Sequence, residues 1–161
     1  SMEVSSRAEA PDALALGEPA GANGDVYCGR HINTIRLQVP GASDYETYEV
    51  LQLIEFSSAR KRMSVIVKRQ TAGRFLGYTK GGDSMFFSRL ASGQDEMCAT
   101  TDKSLEEFAN HGLRTLCVAK RELDPTWYQR WSREYQHARV LTEGREERME
   151  ELGSEVAQQR T

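Results

Sequence analysis

Cysteine is scarce in this sequence, and its uninterrupted apolar runs are short. The three cysteines, Cys28, Cys98 and Cys117, have no Cys-x-x-Cys or Cys-x-x-His spacing, which argues against a disulfide framework and against a zinc site. No apolar run approaches the roughly 18 residues that span a bilayer, and the polar, alanine-rich start lacks the apolar centre of a signal peptide. We therefore expect a cytosolic chain with reduced thiols, in which Cys117 is buried in a strand.

The sequence also lacks a basic excess. Its formal net charge is -3, whereas nucleic-acid-binding domains usually carry the positive charge that drives counterion release. Positive charge is concentrated locally, at residues 60–62 and 68–69. The three histidines are scattered along the chain, which gives no metal-ligand spacing. General binding of polyanions and a histidine metal site are both disfavoured.

The length and composition predict a single globular domain. The chain has 161 residues, of which 39% are hydrophobic and 28% are charged. Residues 1–25 are rich in Ala, Gly, Glu and Pro without a helical or strand period, and we interpret them as a loosely ordered lead-in that includes a tag remnant at Ser1-Met2. The domain itself is predicted to comprise residues 26–161.

Alternating apolar and polar residues predict strands joined by short turns, which favour antiparallel pairing. The predicted strands are 25–39 in two parts, 48–56, 63–68, 74–79 and 113–120. Helices are predicted at 83–90, at 102–111 with Gly112 at its C-terminal end, from Asp124-Pro125 onward, and at 145–157. In the helix after Pro125, Trp127, Trp131, Tyr135 and Ala138 recur at helical spacing and are predicted core residues. These elements indicate an α+β fold, an antiparallel β-sheet flanked by helices.

Three motifs carry the candidate chemistry. Residues 55–65, EFSSARKRMSV, place Phe56 at the end of a strand and a cationic turn directly after it. This order offers a flat ring for a base beside positive charge for phosphates. The second and third motifs are residues 79–84, TKGGDS, and residues 112–117, GLRTLC.

The order and spacing of these motifs resemble the nucleotide-binding (N) domain of P-type ATPases, most closely the type IV phospholipid flippases. The resemblance runs from about Tyr48 through the helical C-terminal part, and it includes residues 48–51, YEVL, and 105–109, LEEFA. It implies the N-domain α+β fold and the binding of ATP together with Mg²⁺. The ATP-binding residues that it implies are Phe56, Ser57, Lys61, Lys80, Gly81, Arg114 and Thr115, with Asp12 as a weaker candidate.

The resemblance also implies individual roles for these residues. Phe56 is the platform for adenine, Lys80 lines the pocket near the base and ribose, and Arg114 contacts the phosphate tail. Each residue has a simpler alternative. Phe56 alone is more typical of a core residue at a strand end, an isolated Lys80 is a solvated lysine before a turn, and Arg114 alone suits a surface salt bridge.

The sequence departs from the family pattern near its start. The family's Ser-Pro-Asp-Glu-Ala-Ala-Leu element corresponds at best to residues 10–16, APDALAL, in which Ala13 replaces the Glu that accepts a hydrogen bond from the adenine amino group. Three explanations stay open: Asp12 substitutes for that Glu, purine discrimination is weakened, or the chain is a divergent member in which nucleotide binding has decayed. Losing one net hydrogen bond of about 0.5–1.5 kcal/mol weakens binding by about tenfold.

For the intact pump, the resemblance implies that one domain binds ATP and a separate domain accepts its phosphoryl group. The γ-phosphoryl group passes to an aspartate in an Asp-Lys-Thr-Gly motif on a separate phosphorylation domain, and this sequence contains no such motif. The isolated chain is therefore expected only to bind nucleotide, as a cytosolic domain of an integral membrane enzyme that moves phospholipid. Its implied partners are the phosphorylation, actuator and transmembrane domains of the same polypeptide and a possible β-subunit.

Three hypotheses follow from these observations. The first is the ATP-binding domain of an active flippase. The second is a degenerate N domain that serves as a regulatory or interaction module in a larger fusion protein, motivated by Ala13. The third is a small nucleic-acid binder that uses Phe56 with residues 60–62, which the negative net charge disfavours.

Overall fold

The computed structural model describes residues 11–90 and 93–157. Six strands form one sheet in the order β1-β2-β3-β4-β5-β6, with antiparallel pairing, and helices flank the sheet. This architecture confirms the predicted α+β fold. In chain order the elements are α1 (Pro11–Ala22), β1 (Val26–His31), β2 (Thr34–Gln38), β3 (Glu46–Ser57), β4 (Arg62–Arg69), β5 (Arg74–Gly81), α2 (Asp95–Asn110), β6 (Cys117–Leu123), α3 (Pro125–Arg139) and α4 (Arg145–Glu155).

The chain divides into two compact units. The smaller one comprises residues 11–50 together with Lys68–Gly73. Within it, β1 pairs with β2, and β2 pairs with the first part of β3, from Thr34 opposite Glu49 to Leu37 opposite Glu46. An ion pair between Arg69 and Glu46 and a 2.5 Å hydrogen bond from the Tyr48 hydroxyl to the Glu46 carboxylate stabilise this unit.

The larger unit contains residues 51–67, 74–90 and 93–157, and it holds the hydrophobic core. The core residues from the strands are Ile54, Ile66 and Leu123, and they pack against α3 and α4. The core residues from these helices are Trp127, Trp131, Tyr135, Ala138, Leu152 and Val156. All four α3 residues predicted from helical spacing are therefore buried, as expected.

The start of α3 confirms the capping prediction. Asp124 is the N-cap residue, and its carboxylate accepts a 2.8 Å hydrogen bond from the Trp127 amide, while Pro125 occupies the first turn. This cap satisfies an amide that has no partner within the helix. The helix therefore begins where the sequence predicts, with its aromatic stripe facing the sheet.

Two predicted boundaries are wrong. Helix α2 begins at Asp95 rather than at Asp102, and its first turn carries Asp95 and Glu96, whose negative charges favour a helix N-terminus. It ends as predicted before Gly112, which has a φ of 70°. The following strand begins at Cys117 rather than at Leu113.

Other local predictions also need correction. The segment predicted as a short helix at 83–90 forms two single 3-10 turns, Asp83–Met85 and Phe87–Arg89, since so few residues nucleate an α-helix poorly. No helix was predicted before residue 25, yet α1 spans Pro11–Ala22, where Pro11 and several alanines favour a helix that has no apolar stripe. Residues 1–10 lie outside the described part. The division into a lead-in and a domain stays a prediction.

Helix α2 contributes no buried residue to the core among its described side chains. Leu105, Phe108 and Ala109 were predicted to share a core-facing side of this helix. Instead, Leu105 is half-buried, Ala109 is exposed and Phe108 is 46% exposed. The amphipathic period correctly predicted the helix but not the burial of its apolar side.

Candidate functional site

Four strand ends of the larger unit meet at one end of the sheet. Strands β3 and β5 finish there at Ser57 and Gly81, and β4 and β6 start there at Arg62 and Cys117. Gly81 pairs directly with Cys117. We call this region the sheet-end site. The predicted residues Phe56, Ser57, Lys61, Lys80 and Gly81 lie in its strand ends and turn, and Arg114 and Thr115 lie in the chain just before β6.

A tight turn joins β3 to β4 at the sheet-end site. The Lys61 amide donates a 2.7 Å hydrogen bond to the Ser57 carbonyl, and the Arg60 amide donates a 3.2 Å hydrogen bond to the Ser57 hydroxyl. Lys61 has a φ of 52°, in the left-handed region that few side chains other than Gly, Asn and Asp adopt. Its side chain is exposed, whereas the arginines on either side of it are buried.

Gly81 holds the end of β5 close to this turn. A Cβ atom at this position would lie 2.8 Å from the Lys61 carbonyl oxygen and 3.3 Å from the Arg62 Cα. Both neighbours are backbone atoms that cannot rotate away. The absence of a side chain at Gly81 is therefore a packing requirement of the sheet-end site.

We expect Gly81→Ala to lower the free energy of unfolding by about 1–3 kcal/mol, because the added methyl group overpacks a backbone contact. Urea denaturation measures this loss. Gly82→Ala is a matched control, since nothing lies within 4 Å of a Cβ built there and its φ is -65°. We expect the control to change stability by no more than about 0.5 kcal/mol. Equal effects of the two variants would contradict the close contact at Gly81.

The predicted site residues differ in exposure. The Phe56 ring is 63% exposed, Arg114 and Lys61 are exposed, and Ser57, Lys80 and Thr115 are half-buried. The alternative interpretation of Phe56 as a core residue is therefore wrong. A ring with more than half of its surface open to solvent can receive another flat ring.

Phe56 also lines a cavity of about 610 Å³ beside β3, α3 and α4. Tyr135, Arg139 and Glu150 lie in the wall of this cavity, whereas Lys61, Lys80 and Arg114 are not among its described lining residues. The structure thus brings Lys61 and Gly81 into contact and brings the start of β6 beside them. Phe56 adjoins them through Ser57, whose carbonyl and hydroxyl accept the hydrogen bonds of the turn.

The cationic run at residues 60–62 is mostly structural. Arg60 donates a 2.6 Å hydrogen bond from Nε to the Glu150 carboxylate and another of 2.6 Å from Nη2 to the Glu55 carbonyl. Arg62 donates a 3.0 Å hydrogen bond from Nη1 to the Arg60 carbonyl. Both side chains are buried, so Lys61 is the exposed cation of this run, while Lys68 and Arg69 of the expected phosphate-attracting patch are half-buried. Sequence reasoning missed the role of Arg60 in connecting β3 to α4, because nothing in the run distinguishes its three cations.

Cys117 borders the sheet-end site. It is half-buried at the start of β6 rather than fully buried, and burial raises the pKa of its thiol, with a further contribution from the charge of Asp83. The thiol therefore stays protonated at neutral pH and has little nucleophilic character.

Asp12 and Ala13, which the sequence analysis singled out near the start of the chain, cannot be placed at this site. Asp12 lies in α1, but its side chain and that of Ala13 are outside the described part.

Among residues 11–90 and 93–157, no group of three His, Cys, Asp or Glu side chains is arranged to hold a metal ion. Within the same residues, no helix combines the length and the apolar character needed to cross a membrane.

Comparison with known proteins gives a consistent set of relatives. The family model described as the cytoplasmic domain N of P-type ATPases matches residues 36–153. The phospholipid-transporting ATPase DNF1 of Chaetomium thermophilum is 42% identical over 93% of this chain, and the probable phospholipid-transporting ATPase IM of Homo sapiens is 35% identical over 96%. The phospholipid-transporting ATPase dnf2 of Schizosaccharomyces pombe is 40% identical over 91% of this chain. The chain spans only 10–13% of the length of these relatives.

Proposed function

Because the chain belongs to the family of P-type ATPase cytoplasmic N domains, we propose that it binds ATP at the sheet-end site and presents the nucleotide to an aspartate on a separate phosphorylation domain. The relatives agree with the type IV resemblance that residues 55–65, 79–84 and 112–117 predict, which is thereby confirmed. For the whole protein we propose ATP-driven transport of phospholipid across a membrane.

The exposed Phe56 ring at the end of β3 is the observation that carries this proposal. Stacking a base on an aromatic ring contributes about 1–3 kcal/mol and requires an open ring face. Lys61 extends from the adjoining turn as an exposed cation, so a phosphate tail that leaves the stacked base meets positive charge. Neither interaction requires movement of the buried core.

The remaining site residues have supporting roles in the proposal. Lys80 contacts the base and ribose from the end of β5, where Gly81 allows the backbone to approach closely. Arg114 and Thr115, just before β6, donate hydrogen bonds to the phosphates, and Ser57 contributes a hydroxyl. These residue types fit ATP, and Mg²⁺ would be bound with its phosphates. ATP supplies the γ-phosphoryl group, while these side chains only bind and orient it.

In the full-length protein, the proposed partners are the phosphorylation, actuator and transmembrane domains of the same polypeptide and a β-subunit. The chain would then be a cytosolic domain of an integral membrane enzyme. Head-group selection would lie in the transmembrane part.

A second function is a regulatory or interaction module built on the same fold. Ala13 favours it, because alanine cannot accept the hydrogen bond that the family's Glu takes from adenine. The nucleic-acid alternative loses its main support with the burial of Arg60 and Arg62.

Titration with Mg-ATP, followed through amide chemical shifts, tests the proposal. We expect shifts at residues 56–61, 80–81 and 114–115, with a dissociation constant near the millimolar range, which corresponds to about -4 kcal/mol. Lys80→Ala should weaken binding by about tenfold through loss of a charge-assisted interaction.

Lys103→Ala is the matched control for Lys80→Ala. It removes an equal charge from an exposed position of α2 and should leave the affinity unchanged. Shifts that are absent, or that spread evenly over the surface at millimolar Mg-ATP, would contradict nucleotide binding and leave the interaction module as the function.

A further inference from the structure

A second cavity of the larger unit has no role in the proposed ATP site. It has a volume of about 370 Å³ and lies against β4, β5 and β6, the turns after β5, and the end of α4. Its charged lining residues are all cations: the arginines Arg62, Arg89 and Arg121, together with Lys120, whose side chain points to the other face of the sheet from Arg121 by strand alternation. Among the residues that the structure describes, no Asp or Glu lines it. The cavity therefore concentrates positive charge in a chain whose net charge is negative.

Arg62 is the most deeply buried of these cations. Arg62 is only 3% exposed, and its Nη1 donates a hydrogen bond to the Arg60 carbonyl. The Nε of Arg62 is also buried, and it finds no hydrogen-bond acceptor in the described part of the chain. Burying a guanidinium donor without an acceptor is unfavourable, so an incoming acceptor would be stabilised here.

The electrostatic surroundings of Arg62 favour an anion as well. Burial lowers the pKa of Arg62, and the charges of Arg89 and Arg60 lower it further, whereas Glu150 only partly opposes them. Burial also lowers the pKa of Arg121. The cationic form of each side chain is thus held in an environment that penalises positive charge, and an anion in the cavity would offset that penalty.

Apolar residues form much of the remaining wall of the cavity, which also includes Thr79 and Gln94. Phe86 is buried, Leu90 is half-buried, Met97 is 65% exposed and Val156 is buried. A volume of about 370 Å³ is near the lower end of the range for small-molecule sites. Walls of this composition suit a molecule with one charged end and one apolar end.

The cavity lies on the face of the sheet opposite Lys80. Thr79 and Lys80 are consecutive residues of β5, and successive side chains of a strand point to opposite faces. Thr79 lines the cavity and shares a 2.8 Å hydrogen bond with Ser64, whereas Lys80 is not among the described lining residues. Occupation of the cavity would leave Lys80 accessible.

We propose that this cavity binds a small organic anion, whose phosphate or carboxylate group is held by the guanidinium groups of Arg62 and Arg121 and whose apolar part packs on Phe86 and Met97. Guanidinium groups recognise both kinds of anion through paired N–H donors. The ligand is bound without chemical change. It binds independently of the nucleotide.

Phenyl phosphate, benzoate, inorganic phosphate and benzyl alcohol separate the contributions of charge and apolar surface. Each compound is titrated into the 161-residue chain and followed through amide chemical shifts. We expect saturable shifts at residues 86, 97 and 119–121 with phenyl phosphate or benzoate, and the tighter of the two identifies the anionic group. Inorganic phosphate and benzyl alcohol should each bind at least about tenfold more weakly, since each lacks one half of the ligand.

Met97→Glu tests the site without disturbing the core. This exposed position lies in the first turn of α2, where an acidic residue is favourable for the helix. The new carboxylate repels the anion and removes apolar wall, so we expect affinity for phenyl phosphate to fall by about tenfold or more. Ala99→Glu is the matched control, because it adds the same charge at an exposed position of the same helix that does not line the cavity.

Arg121→Met is a second test, which removes one guanidinium group and keeps an unbranched apolar stem. This substitution should lower the affinity for phenyl phosphate by about fivefold or more. If this variant fails to fold, the comparison of Met97→Glu with Ala99→Glu tests the proposal by itself. The proposal is overturned if no saturable shifts occur up to about 10 mM ligand, if inorganic phosphate binds as tightly as phenyl phosphate, or if Met97→Glu binds like Ala99→Glu.

Discussion

Replacing Trp131 by alanine should lower the free energy of unfolding by about 3–5 kcal/mol. The Trp131 side chain is only 1% exposed and packs between Trp127 and Tyr135, with ring centroids at 5.7 and 4.8 Å. Its indole nitrogen donates a 2.9 Å hydrogen bond to the Leu152 carbonyl of α4. Truncation therefore leaves a cavity and also leaves a buried carbonyl without its donor.

Urea denaturation followed by circular dichroism measures this change. Trp131→Phe should lose less stability, since it keeps a ring in the stack and loses mainly the hydrogen bond to Leu152. Val140→Ala is an exposed control just after α3 and should change stability by no more than about 0.5 kcal/mol. A loss below about 1 kcal/mol for Trp131→Ala would contradict the packing of α3 and α4 against the sheet.

Replacing Phe56 by alanine should weaken Mg-ATP binding by about five- to 150-fold, the equivalent of about 1–3 kcal/mol of base stacking. The proposed platform is lost, while the core is untouched because the ring is mostly exposed. The free energy of unfolding should therefore change by no more than about 0.5 kcal/mol. The initial slope of amide shift against Mg-ATP concentration gives the relative affinity where saturation is not reached.

Two further variants serve as controls for Phe56→Ala. Phe56→Tyr keeps a flat ring and should bind nearly as the wild type does. Phe108→Ala removes another exposed phenyl ring, one on α2 that lines neither of the two cavities, and should leave affinity unchanged. Nucleotide affinity that survives Phe56→Ala intact would remove Phe56 from the site, even if ATP still binds elsewhere.

Helix α3 shows how much of the fold local signals predict. The Asp124 cap, Pro125 and the aromatic repeat all act within a few residues of one another, so the start of the helix and its buried face follow from sequence alone. Helix α2 is different. Its apolar residues repeat at helical spacing, but whether that side meets another element depends on distant parts of the chain, and Phe108 stays largely exposed.

The cationic run shows the same limit at the site. Arg60, Lys61 and Arg62 are consecutive cations, and only the backbone path decides which of them faces solvent. The turn at Ser57 and the left-handed conformation of Lys61 direct Arg60 to Glu150, 90 positions along the chain, and leave Lys61 outside. No spacing rule within the run predicts that partner.

Apart from α1 and the 3-10 turns at 83–89, the strands and helices, the aromatic core of α3, and the family whose motifs appear at residues 55–65, 79–84 and 112–117 could be predicted from the sequence. These features follow from periodicity, capping and the order of local motifs, which are properties of neighbouring residues. Tertiary packing was needed to establish that Phe56 is exposed, that Arg60 and Arg62 are buried, and that arginines from β4, β6 and the turn after β5 line one cavity. Those properties depend on which distant segments pack together, because burial and charge clustering are set by contacts that no local pattern contains.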